Sequence, residues 1–232
     1  MKAFVITIKG HEYSNLKADQ CVKTGAEIGK IDVERFYGVN KDESRSVMKK
    51  HGLKWSWADN NTQPSICPIT KLQHSPYYPS NPDYSALIGC TMSHYSLIVR
   101  CVELNEPILI LEHDSVFIRE FPEFDFEGIC QINDPEGGGK NGKWLSNQMK
   151  QKGIMGVSPK TRNAVGPMVP DGLAGNSAYV IKPWAAQELM DKYRELGVWP
   201  NDAIMCIQLF PYLEEYYPFI TKPVQEISTS KS

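Results

Sequence analysis

The sequence predicts an α/β fold: a central, largely parallel β-sheet with helices on both faces. Apolar runs of strand length alternate with amphipathic stretches of helical length, the pattern of successive β-α-β units. A chain of 232 residues with 41% hydrophobic content is long enough to bury a substantial core, and we read residues 1–232 as one domain. No internal repeat or heptad array interrupts it.

The first strand is residues 3–8 (AFVITI), closed by Lys9-Gly10. A polar amphipathic segment, residues 13–28, leads to a second strand at residues 32–39 (DVERFYGV). Residues 55–84 are rich in Pro, Asn, Ser and Tyr without a clear period, which predicts a long irregular insertion. From Ala86 the pattern turns helical: Leu87, Thr91, Tyr95, Ile98 and Val102 recur every three or four positions. That helix feeds the apolar strand Ile108, Leu109, Ile110, Leu111. Residues 126–133 (FEGICQIN) predict another strand, and residues 134–170 a flexible loop. Residues 172–183 (GLAGNSAYVIKP) restore a strand, residues 184–196 an amphipathic helix, and residues 200–213 a last helix opened by Pro200-Asn201-Asp202.

Composition narrows the function classes. A net charge of -2 argues against a surface built wholly for nucleic acid. The apolar run at the N-terminus is too short for a signal sequence, and no stretch of about 18 apolar residues predicts a membrane span. The expectation is a cytoplasmic protein, in the host cytoplasm if the source is viral. Its six cysteines form no CxxC pair and read as reduced, mostly buried thiols.

The chemistry concentrates where the strand at 108–111 runs into Glu112, His113 and Asp114. Charge at the end of a buried strand is costly unless it is paired or holds a cation, and in open α/β sheets ligands bind at the carboxyl ends of strands. On an extended segment Glu112 and Asp114 point the same way while His113 faces elsewhere. Hard oxygen donors of this kind suit Mg²⁺ or Mn²⁺ bridging to a diphosphate. The bland alternative is a helix-cap cluster or an exposed strand end. Residues 137–144 (GGGKNGKW) match the spacing of a phosphate loop, but Trp144 stands where a Ser or Thr must bind Mg²⁺, so a glycine-rich loop is the better reading. Between Glu136 and Asp171 no acidic residue occurs, while Lys140, Lys143, Lys150, Lys152, Lys160 and Arg162 do. That segment reads either as a solvated surface or as a lid over a polyanion, the donor's diphosphate or an acceptor such as DNA, with Trp144 to stack or anchor.

Residues 88–117 (IGCTMSHYSLIVRCVELNEPILILEHDSVF) resemble glycosyltransferase family 25, the lipooligosaccharide and collagen galactosyltransferase type. There a Gly-Cys-x-x-Ser-His helix precedes an apolar strand ending in Glu-Asp-Asp. FVITI is similar to that family's first strand and RFYGVN to its second strand and donor loop. GNSAYVIKPWAAQEL with WPNDAIM is similar to a later strand-helix segment and a Pro-x-Asp motif. The resemblance spans most of the chain except residues 50–80 and 134–170, and its weight lies in the order of the pieces.

It implies a GT-A-like fold that binds a nucleotide sugar, UDP-linked by expectation, and transfers the sugar with inversion to an acceptor hydroxyl. Ile6, Thr7, Gly38, Ser93, His94, Glu112 and His113 are then expected at the donor, with Glu112 and Asp114 on Mn²⁺ or Mg²⁺. His113 departs from the family, which usually has Asp there. Asp202 matches the Pro-x-Asp position and is the expected general base. As plain residues, a helical His94 is more often packed than catalytic, and Asp202 after Pro200 also suits an ordinary helix N-cap. The acceptor is a glycan or, as for phage-type enzymes, the hydroxymethylated pyrimidines of DNA. The rivals are a non-catalytic sugar- or nucleotide-binding module and, last, a nucleotidyltransferase or P-loop kinase.

Overall fold

A computed structural model describes residues 1–57, 65–74, 84–163 and 166–224. The first strand, β1 (Lys2–Thr7), alternates strictly: Ala3 and Val5 join one apolar cluster, Phe4 and Ile6 the other. The same alternation appears in β5 (Ile108–Glu112), where Ile108 and Ile110 face one way and Leu109 and Leu111 the other. Helices cover both faces. Helix α1 (Glu12–Thr24) buries Ala18 and Cys21 on one side, while α3 (Ser85–Leu104) and α5 (Pro183–Leu196) cover the other.

The ends of the helices follow local chemistry. The His11 imidazole accepts the Ser14 N–H and opens α1, which closes through a π-helical turn at Gly25–Gly29. Asn105, in the left-handed region at φ 52°, stops α3. Pro183 occupies the first turn of α5, where its missing N–H costs nothing, and Gly197 at φ 87° follows its end.

Seven strands form the main sheet. Strand β2 (Val33–Tyr37) is at one edge, followed by β1, β5, β9 (Ala178–Ile181), β7 (Ile129–Gln131), β10 (Leu213–Tyr217) and β8 (Gly156–Pro159) at the other. Strands β2, β1 and β5 are mutually parallel, as are β7 and β10, but β9 is antiparallel to both β5 and β7, and β8 to β10. Five strands therefore share one direction and two oppose it, so the sheet is mixed. Small accessory pairs join β6 (Ser115–Phe117) to β11 (Thr221–Pro223), and β3 (Ser65–Ile66) to β4 (Gln73–His74).

Three expectations change. The expected last helix over residues 200–213 is a single turn, α6 (Asn201–Ile204), and the chain then turns into β10. Anchors from outside the segment hold that turn: Asp171 O accepts the Ile207 N–H, and Cys206 bridges to Gly172. The expected flexible loop over 134–170 contains a 3₁₀ turn, helix α4 (Gly139–Lys152) and edge strand β8. Residues 137–144 accordingly lead into and form the start of α4 rather than a glycine-rich loop. The irregular insertion at 55–84 lies partly outside the described residues, but Trp57, Cys67, Leu72, His74 and Tyr84 are buried, and Trp57 stacks on His74 at 4.2 Å. Helix α2 (Ser44–Lys50) completes the elements, packing against α3.

Candidate active site

The parallel strands β1, β2 and β5 all end on one edge of the sheet, and a cavity of about 540 Å³ opens there. Its walls are the turn after β1 (Ile8 to His11), the loop after β2 (Val39 to Asp42), the first turns of α3 (Cys90, Ser93, His94) and the strand end Glu112, His113, Asp114. A volume of this size falls within the range of small-molecule sites, roughly 300–1,000 Å³.

Close approach of α3 to the β2 loop shapes the cavity. A Cβ at Gly38 would lie 2.5 Å from Ser93 Oγ, and a Cβ at Gly89 would lie 2.8 Å from Val39 O. Only glycine fits at either contact. Ser93 then ties the two together, accepting the Val39 N–H at 2.8 Å and donating to Gly89 O at 2.7 Å. Ser93 and Gly38 thus set the position of the loop.

At the strand end, Glu112 Oε1 lies 3.2 Å from His94 Nε2 and 3.8 Å from Cys90 Sγ. His94 Nδ1 lies 3.1 Å from the Tyr179 hydroxyl on β9, so the imidazole is held at both nitrogens. Burial and the neighbouring carboxylates Glu112, Asp202 and Asp114 push the Cys90 thiol well up, and burial pushes the Tyr179 hydroxyl up too.

Of the expected donor residues, Ile6, Ser93, His94, Glu112 and His113 line this cavity, and so does the expected metal ligand Asp114. Thr7 and Gly38, also expected at the donor, do not line it. Thr7 is fully buried and its hydroxyl lies 3.2 Å from Ser14 Oγ, turned toward α1 and away from the cavity wall. β5 stops at Glu112 and the chain turns, so two-residue alternation no longer applies at His113, and all three residues line the cavity. Desolvation holds the His113 imidazole below its ordinary value. Asp114 is buried, and its carbonyl accepts the Val224 N–H at 2.8 Å, fixing the turn.

Asp202 is the second residue of α6 and is not among the residues that line the cavity, although its charge acts on the Cys90 thiol. The capping position of α6 is Pro200, so Asp202 is a first-turn acid and not the cap.

Sequence reasoning missed Lys9, His11, Asn40, Lys41, Asp42 and Cys90, all of which line the cavity. The signal was present in Lys9-Gly10-His11, a turn between a buried strand and a helix start, where backbone N–H groups and cations favour anions. Gly10 adopts φ 76°, which suits that turn.

Among the described residues, the cations of the basic segment are engaged elsewhere or lie on the surface. Lys160 is buried and paired with Asp171 at 2.8 Å, Lys150 lies 3.2 Å from Asp134, and Lys152 donates to Thr161. Lys143, Arg162 and Trp144 are exposed on the surface. No residue from 134–170 lines the cavity among those described.

A family model described as glycosyltransferase family 25 (LPS biosynthesis protein) matches residues 1–205, a stretch that contains every cavity residue and Asp202. No curated protein matches the chain. Among solved structures, mouse xyloside xylosyltransferase 1 in its apo form is similar at 13% identity and TM-score 0.39, covering 91% of this chain and 83% of that one. The WbbM bifunctional glycosyltransferase, apo, is similar at 11% identity and TM-score 0.40, covering 94% of this chain and 38% of that one. The galactosyltransferase LgtC, in complex with donor and acceptor sugar analogs, is similar at 9% identity and TM-score 0.39, covering 92% and 72%. Matched by the family model along residues 1–205, the chain belongs to glycosyltransferase family 25.

Proposed function

We propose that this glycosyltransferase binds a UDP-sugar in the cavity at the ends of β1, β2 and β5 and passes the sugar, with inversion, to a glycan hydroxyl. One observation carries the reading: Glu112, His113 and Asp114 share a single cavity with the cations Lys9 and Lys41. Carboxylates for a cation and ammonium groups for phosphate oxygens are the two halves of a diphosphate site.

The donor set fits a divalent cation, because Glu112 and Asp114 both reach the cavity from the end of one strand. Those two residues would hold Mn²⁺ or Mg²⁺, and the ion would neutralise charge on the departing diphosphate. Lys9 and Lys41 bind phosphate oxygens, and His94 orients Glu112 through its 3.2 Å contact. His113, whose imidazole burial holds below its ordinary value, lines the same cavity. Asp202, whose charge reaches Cys90 in the cavity wall, is the candidate general base for the acceptor hydroxyl.

Modified DNA is the weaker acceptor reading, since Lys160 and Lys150 are committed to Asp171 and Asp134. No helix among the described residues is long and apolar enough to cross a membrane. Six free thiols, five of them buried, support a reducing compartment such as the cytoplasm.

The test is a panel of nucleotide sugars with Mn²⁺ or Mg²⁺, read as nucleoside diphosphate released with and without a lipooligosaccharide acceptor or hydroxymethylated DNA. Acceptor-dependent release from a UDP-sugar is expected. Tight nucleotide-sugar binding without any turnover across the panel would favour a non-catalytic binding module instead.

A further inference from the structure

Three potential metal ligands of different chemistry converge on one point of the cavity wall. Cys90 and His94 are four residues apart on α3, hence on the same helical face, and Glu112 reaches them from the end of β5. Their ligand atoms all lie within 4.8 Å of one another. Donors around a tetrahedral zinc, at about 2.0–2.3 Å from the ion, stand roughly 3.3–3.6 Å apart. The observed separations from Glu112 Oε1, 3.2 Å to His94 Nε2 and 3.8 Å to Cys90 Sγ, lie close to that spacing.

The surroundings suit an ion as well. The Tyr179 hydroxyl at 3.1 Å from His94 Nδ1 fixes the ring with Nε2 turned to Glu112, the outer-sphere support that metal-bound histidines use. Three protein donors leave the fourth position open toward the cavity.

We propose that Cys90, His94 and Glu112 form a binding site for a borderline-soft divalent transition ion of the zinc class. Thiolate and imidazole select such an ion over Mg²⁺, which takes oxygen donors. On binding, the Cys90 Sγ–H bond breaks, its proton leaves to solvent and the sulfur's electron pair goes to the ion, one proton released per ion bound. The site uses the Glu112 of the proposed donor cavity but does not depend on sugar transfer, and Asp114 is not one of its three donors.

The experiment is titration of Co²⁺ into the metal-stripped full chain, followed by absorption. A thiolate-to-cobalt charge-transfer band with tetrahedral ligand-field bands is expected, displaced by Zn²⁺, retained in Asp114→Asn and absent in Cys90→Ser. X-ray absorption of the zinc-loaded wild type provides a second readout that needs no variant, and one sulfur in the first coordination sphere is expected. A shell of nitrogen and oxygen alone, or a charge-transfer band that persists in a folded Cys90→Ser protein, overturns the site. Sugar transfer supported by Mg²⁺ with no cobalt–thiolate band refutes this site and leaves the proposed function standing. A band without transfer does the reverse.

Discussion

Lys160 separates a structural from a ligand-binding role for the basic segment, and Lys160→Met is the perturbation. Its ammonium is buried, pairs with Asp171 at 2.8 Å and donates to Thr161 O at 2.9 Å. Asp171 is buried too and accepts the Asn163 N–H at 3.0 Å, while Thr161 donates to buried Glu215. Methionine keeps the volume but leaves the Asp171 carboxylate without its counter-charge, and removing one partner of a buried pair costs about 3–5 kcal/mol. In a protein of this length each kcal/mol lowers Tm by about 2–4 °C, so a fall of about 6–20 °C is expected in a thermal melt. Replacing both residues, Lys160→Met with Asp171→Leu, should recover part of that loss, since no unpaired charge remains. A fall under about 2 °C in the single variant, the size of a surface pair's contribution, would refute the reasoning and return Lys160 to the solvent.

Ser93→Ala should lose about 1–3 kcal/mol of stability in urea unfolding, because the Val39 N–H is left unpaired, and should raise KM for the donor because the loop carrying Asn40 and Lys41 loosens. Asp202→Asn should abolish transfer while nucleotide-sugar binding by calorimetry stays near wild type; an earlier melt with normal transfer would make Asp202 a helix-start residue only. His74, pushed down to about 4 by burial beside Trp57 and Trp199, binds its proton in the unfolded chain before the folded one. Stability should therefore fall as pH drops from about 6.5 toward 4, and His74→Phe should reduce that fall in urea melts at stepped pH.

What was legible in the sequence follows from how local each signal is. The aliphatic run Ile108 to Leu111 identifies a buried strand, and its charged end marks the cavity, because strand ends and ligand sites coincide in α/β sheets. Direction is not local: the apolar segment Ala178–Ile181 reads the same either way, and its antiparallel placement between β5 and β7 depends on the whole sheet. Strand β10, LEEYY, lies behind a Phe-Pro turn whose anchors come from Asp171 and Gly172. The site behaves alike. Glu112 is legible from its strand, but its partners Cys90 and His94 come from α3, and Tyr179, which holds His94, comes from β9. Even-odd logic failed for His113 because the strand ends one residue before it.

The central claim, that the cavity at the ends of β1 and β5 holds the nucleotide diphosphate, is tested most directly by calorimetric titration of UDP with Mn²⁺ into wild type, Glu112→Gln and Lys9→Met. Binding to the wild type is predicted, weakened in both variants by at least about tenfold, or roughly 1.4 kcal/mol, because each removes one charge facing the ligand. Equal affinity in all three proteins would contradict the account and place the nucleotide elsewhere.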